Sequence, residues 1–208
     1  VDTVPPGGVP TLKLTNTIIK NMQAAGLYGQ GAHIWSNNCV FANCGQYAAA
    51  LSIGGKYKFE HCTFANFWNQ DERSTPLLAL NNYYISSGGA YVIRDLDSAY
   101  FGNCILYGDL PEEIGLDQST FGGVFSYKFD HCIVKTMRNT SNPFYYATCY
   151  QNNDPGFKNT EINDYRLNSA TSFAVDKGDP GISLLIPRDL NFNLRGPLPD
   201  VGAYEYAP

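Results

Sequence analysis

The chain has 208 residues, enough for one domain with a sizeable core. Its net charge is −5 and only 16% of residues are charged, so it carries no basic block suited to nucleic acid. No apolar run approaches the ~18 residues of a membrane span.

The chain opens with Val1-Asp2-Thr3-Val4-Pro5-Pro6-Gly7-Gly8. Residues 1–11 read as a linker, or as the end of an upstream coil, with processing or truncation before them. From residue 12 one pattern recurs six times: apolar, any, apolar, any, Asn or His, then a small or aromatic residue and an apolar pair. The copies begin at Leu12, Ile34, Tyr57, Leu78, Ala99 and Tyr127. Their anchors are Asn16, Asn38, His61, Asn82, Asn103 and His131, spaced by 22, 23, 21, 21 and 28 residues. The long last interval predicts a bulged loop over Asp109 to Gln118. A seventh rung is expected near Asn152 or Asn153.

Each copy starts with the period-two alternation of a half-buried strand. No amphipathic helix separates the copies, and the Asn spacing does not fit a leucine-rich repeat. The remaining solution is one coil per repeat, with strands stacked in parallel ~4.8 Å apart over residues 12–153. Inner ladders are then Leu14, Ser36, Phe59, Leu80, Phe101 and Phe129, and Thr17, Cys39, Cys62, Tyr83, Cys104 and Cys132. The anchors sit where the coil bends, where stacked Asn amides satisfy each other and the backbone. Four of the six cysteines share one repeat position, which predicts a buried, reduced thiol stack and not a disulfide framework. Residues 154–208 lose the period and gain Asp, Pro and Gly, as expected of an irregular cap over the last rung. Cap residues Asp176, Asp179, Asp189 and Asp200 are candidate calcium ligands, although no spaced Asp loop is present. No other cofactor is expected.

The Asn-Cys-apolar-apolar rungs resemble bacterial right-handed parallel β-helix repeat proteins. So do the tail segments Asp154-Pro155-Gly156-Phe157, Asp164-Tyr165-Arg166-Leu167 and Asp200-Val201-Gly202-Ala203-Tyr204. The resemblance implies an all-β fold: a right-handed, single-stranded parallel β-helix with a C-terminal cap. It also implies a secreted or cell-surface location. It does not fix an activity, because that family holds lyases, hydrolases and adhesins.

A site should lie on outward positions. Three residues before each anchor lie Lys13, Trp35, Lys58, Ala79, Tyr100 and Lys128, a basic and aromatic stripe suited to an acidic glycan. Trp35, Lys58, Tyr100 and Lys128 are the candidate carbohydrate-binding residues; the competing reading is an ordinary solvated sheet face. Lyase chemistry would draw on Lys58, Lys128, Arg94 and Arg138. This alignment sets Lys58 and Lys128, and likewise Glu60 and Asp130, ~14 Å apart, too far for joint chemistry. A glycosidase pair would need loop residues such as Asp71, Glu72, Asp95 or Asp97. The expected function is a domain that binds or helps process a polysaccharide. The alternatives are a structural or adhesive module, and a lyase or glycosidase whose active rungs lie mostly upstream.

Overall fold

A computed structural model describes residues 10–208; residues 1–9 of the expected linker lie outside the described residues. The first coil holds β1 (Leu12–Thr15), β2 (Ile18–Lys20) and β3 (Ala25–Gln30). The second holds β4 (His33–Asn37), β5 (Val40–Ala42) and β6 (Tyr47–Ser52), and the third β7 (Gly55–Glu60), β8 (Thr63–Asn66) and β9 (Leu78–Asn81). A hairpin, β10 (Tyr83–Ile85) and β11 (Tyr91–Ile93), then leaves the stack. The fourth coil has β12 (Leu96–Gly102), β13 (Ile105–Gly108) and β14 (Ile114–Asp117), and the fifth β15 (Phe125–Asp130) and β16 (Ile133–Val134). The sixth has β17 (Tyr146–Ala147) and β18 (Tyr150–Gln151). The tail adds the antiparallel pair β19 (Phe157–Asn159) and β20 (Asp164–Leu167), and one helical turn, α1 (Pro180–Ser183).

Every coil strand pairs in parallel with its counterpart one coil away, which makes an all-β solenoid with three parallel sheets. Sheet A runs β1-β4-β7-β12-β15-β17, sheet B runs β2-β5-β8-β13-β16-β18, and sheet C runs β3-β6-β9-β14.

The fourth copy of the sequence pattern is not a sheet A rung. Leu78-Ala79-Leu80-Asn81 is β9 of sheet C, and β12 pairs directly with β7, placing Tyr100 against Lys58. Coil three accommodates the loop 67–77 and the β10–β11 hairpin, so its sheet A strand recurs only 42 residues later, from Tyr57 to Ala99. That length equals two ordinary repeats, and β9 falls near its middle. Asn82 therefore lies off the line joining His61 and Asn103. The expected bulge over 109–118 is also reassigned, since Ile114–Asp117 is a strand and the extra residues are 118–124. The sixth bend falls at Thr148, four residues before Asn152.

The remaining anchors share one backbone state. Asn16, Asn38, His61, Asn103, His131 and Thr148 all have φ between 49° and 51°. Asn and His tolerate this left-handed region better than most residues, which accounts for the choice. All six cysteines follow such a bend. Cys39, Cys62, Cys104, Cys132 and Cys149 occupy the sheet A to sheet B corner, and Cys44 follows Asn43 (φ 51°) at the next. Each thiol donates to the carbonyl two residues before it, at 3.2 Å for Cys39 and Cys104 and 3.4 Å for Cys44 and Cys132. Thr17 does the same with its hydroxyl. The position wants a small side chain with one donor, and the cysteines remain unpaired.

Inside, Phe59, Phe101, Phe129 and Tyr146 stack face to face with centroids 5.2, 4.9 and 5.4 Å apart. Leu80 leaves this ladder for sheet C, and Tyr146 takes the last place.

Sheet B is apolar on both faces. Phe41, Phe64, Leu106 and Val134 point into the core, while Val40, Ala42, Ala65, Ile105 and Ile133 point outward under the tail. The tail therefore lies lengthwise along sheet B instead of across the last coil. The apolar pair in each repeat reflects this two-sided burial. Tail Tyr165, Leu190, Ala203, Leu167, Ala174 and Val201 supply the covering surface. Polar groups index it to the bends: Asn38 donates to the Arg188 carbonyl (2.6 Å), Asn103 to the Asp179 carbonyl (2.9 Å), and Arg195 to the Asn38 side-chain oxygen (2.9 Å).

His61 is the buried titratable side chain among the bend residues of this seam. The Asn103 amide donates to its Nε2 (3.0 Å), with the Ser183 hydroxyl at 2.8 Å from the same nitrogen. Burial, and then the Arg195 charge, hold the imidazole well below its usual pKa. The unfolded chain binds a proton near pH 6.5 that the folded chain refuses, so stability falls as pH drops below about 6.5. The buried carboxyls Asp200 and Glu205, pushed upward by burial, act in the opposite sense at lower pH. His61→Asn, matching Asn38 and Asn103, is expected to flatten the loss of melting temperature below pH 6.5. An unchanged profile would contradict the assignment.

Candidate functional site

Two outward faces carry polar and aromatic side chains. On sheet A, Lys13, Trp35, Lys58, Tyr100 and Lys128 stand in register on five consecutive coils. Lys58 and Lys128 are thus two coils apart, about 10 Å at the strand spacing and not 14 Å; the same holds for Glu60 and Asp130. Trp35 meets His33 edge-on at 5.4 Å. The cations on this face are partly neutralised: Lys58 pairs with Glu60 at 2.9 Å and Lys128 with Asp130 at 3.1 Å. Between those carboxylates the Tyr100 ring folds over Gly102, where a Cβ would come within 2.8 Å of the phenol oxygen. Burial, then the Asp130 charge, raise the Tyr100 phenol above its ordinary value, so it stays protonated and donates to Asp130 at 3.4 Å. This face is a flat, internally bonded ladder.

Sheet C carries a groove of about 850 Å³. Its floor is the outward column Ala50, Ala79 and Gly115, one residue per coil, headed by Tyr28 on the first coil. Ala50 is only 4% exposed although it faces out, so the walls stand well above the floor. Gly115 is small of necessity, because a Cβ there would lie 2.8 Å from Pro76 Cγ. Tyr28 and Tyr47 wall the first two coils, and Pro76 overhangs the fourth. Ser52, Asn81 and Asp117 form a polar rim. Arg138 closes the far end: its Nε donates to the Ile114 carbonyl at 3.2 Å and lies 3.9 Å from a Glu112 carboxylate oxygen, an ion pair that partly neutralises it. The arrangement offers ring faces, several hydrogen-bonding groups and one cation.

The sequence reading missed this groove because Ala79 was assigned to sheet A. A signal existed: Ala50-Leu51-Ser52, Ala79-Leu80-Asn81 and Gly115-Leu116-Asp117 repeat small, Leu, polar.

The other candidates do not gather into a catalytic pair. Asp71 accepts from the Trp68 indole at 2.5 Å, and Asp95 accepts from the Val124 amide at 2.8 Å. Glu72, Arg94 and Asp97 are exposed. Three of the four carboxylates named as calcium ligands hold backbone amides: Asp200 takes Asp176 and Tyr206, Asp189 takes Asn193 and Glu205, and Asp179 caps α1 through Gly181, while Asp176 is exposed. Among the described residues no group of three or more His, Cys, Asp or Glu is placed to hold a metal ion. No helix there is long and apolar enough to cross a membrane.

No family model matches the chain, and no curated protein or solved structure matches it.

Proposed function

We propose that the chain is a right-handed parallel β-helix domain of the bacterial secreted or cell-surface type, and that it binds a polysaccharide in the sheet C groove. The observation that supports this reading is the groove itself: a floor of small residues in register on adjacent coils, with aromatic walls and a polar rim. Its four coils span about 14 Å at the strand spacing, a length suited to a short stretch of glycan. Tyr28 and Tyr47 offer ring faces to apolar sugar faces, and Ser52, Asn81 and Asp117 meet hydroxyls. The terminal nitrogens of Arg138, whose Nε already faces Glu112, suit a uronate carboxylate.

The test is calorimetric titration with oligosaccharides of β-1,4-linked glucose and of α-1,4-linked galacturonate. The parent chain is expected to bind one series, and Ala79→Trp, which fills the floor, to weaken it more than about tenfold, or 1.4 kcal/mol. Unchanged affinity would remove the groove from the account. Binding without turnover favours a surface module; a rise in ultraviolet absorbance with the uronate polymer establishes lyase chemistry.

A second reading places an acidic glycan on Trp35, Lys58, Tyr100 and Lys128. Their unbroken register on four adjacent coils favours it, and binding there would weaken as salt rises.

A further inference from the structure

The hairpin that leaves coil three carries aromatic rings that the core does not use. Tyr83 and Tyr91 lie with ring centroids 5.5 Å apart, and Tyr91 and Phe121 with centroids 4.7 Å apart. Tyr91 is 46% exposed and Phe121 67%. Two such rings in contact make a contiguous exposed patch, a feature that marks binding surfaces.

The cluster is built, not incidental. Phe121 sits on the loop 118–124, and the fully buried Asn82 bonds both ends of that loop. Its side-chain oxygen accepts from the Ser119 amide at 2.7 Å, and its amide donates to the Val124 carbonyl at 3.2 Å. Asn82 is also the first residue after β9, so one side chain fixes the hairpin base and the loop together. The Tyr83 hydroxyl donates to Asp117 at 3.1 Å, and Asp117 lines the groove rim. The ring cluster therefore adjoins the groove through Tyr83, which contacts Tyr91 and bonds Asp117.

We propose that Tyr91 and Phe121 form an outlying sugar-stacking subsite, which takes one ring of the same glycan chain that occupies the groove. This rests on the groove reading above. A glycan fits better than a protein partner: a stable protein contact buries roughly 800 Å² on each side, whereas one aromatic side chain supplies about 150–250 Å² when fully covered. Two partly exposed rings match a single sugar ring. The subsite makes affinity depend on chain length, because a chain long enough to fill both groove and subsite gains stacking that a shorter one lacks.

The experiment compares a disaccharide and a hexasaccharide of each series, β-1,4-glucose and α-1,4-galacturonate, by calorimetry. The proteins are the parent, Phe121→Ala, the Tyr91→Ala/Phe121→Ala double variant, and Ala79→Trp, all as the full chain. The parent should prefer the hexasaccharide. The double variant should cut that preference by about tenfold, with Phe121→Ala intermediate. A double variant with the parent's full length preference overturns the subsite and leaves the groove reading standing. If the double variant loses affinity while Ala79→Trp binds like the parent, the groove reading falls, and with it the continuity claimed here. A parent that binds none of the four probes overturns both.

Discussion

Truncation of Phe101 to Ala is expected to lower the unfolding free energy by about 3–5 kcal/mol. The ring is fully buried and lies between Phe59 at 5.2 Å and Phe129 at 4.9 Å, with Phe64 edge-on at 5.9 Å. Within the stack each coil contacts its two neighbours, so a cavity in the fourth coil weakens both of those interfaces. Lys13→Ala, on the outer face of the first coil, should shift stability by no more than roughly 0.5 kcal/mol. Urea denaturation of the two variants measures the difference. Equal midpoint shifts would contradict the inward and outward assignment of sheet A.

An effect of similar size is expected at Arg73. Its side chain is 1% exposed and its partner Glu113 is fully buried, with contacts at 2.6 and 2.8 Å. Burial opposes the charge, but the bonds and attraction of Glu113, joined by Asp109, outweigh it and push the guanidinium above its ordinary value. Arg73 also holds the Thr75 and Asn66 carbonyls, which fixes the loop 67–77 against coil three. Arg73→Ala leaves Glu113 buried without a cation, a change that costs about 3–5 kcal/mol. The same loop places Pro76 over the groove floor. Glycan affinity should therefore fall with stability in this variant. A Phe101 truncation lacks that direct route to the groove. Loss of less than about 1 kcal/mol at Arg73 would show that the pair is not isolated from water.

Much of the solenoid was legible in the residues. Alternation and the recurring Asn or His identified the sheet A strands of coils one to five, because a left-handed bend restricts residue choice more tightly than a strand does. Misreading began where two different strands obey the same rule. Leu78-Ala79-Leu80-Asn81 alternates and ends in Asn just as the sheet A strands do, and the 42-residue third coil hid the difference. The sixth bend escaped because Thr148 replaces Asn or His there. The lengthwise path of the tail was implied by the double apolar positions of sheet B, such as Val40-Phe41 and Ile105-Leu106, which a one-sided sheet would not need. Trp35, Lys58, Tyr100 and Lys128 were identified as one outward column. Their neutralisation by Glu60 and Asp130 depends on side-chain placement, which period alone does not specify. The groove needed three strands from sheet C to be aligned before its floor of small residues became visible.

Backbone amide chemical shifts decide directly which outer face meets the proposed glycan. Titration of the isotopically labelled chain with the hexasaccharide series that binds should move the amides of Tyr28, Tyr47, Ala50, Ala79, Gly115 and Asp117, followed by Tyr91 and Phe121. Shifts confined to Trp35, Lys58, Tyr100 and Lys128, with the sheet C amides unmoved, would contradict the groove reading.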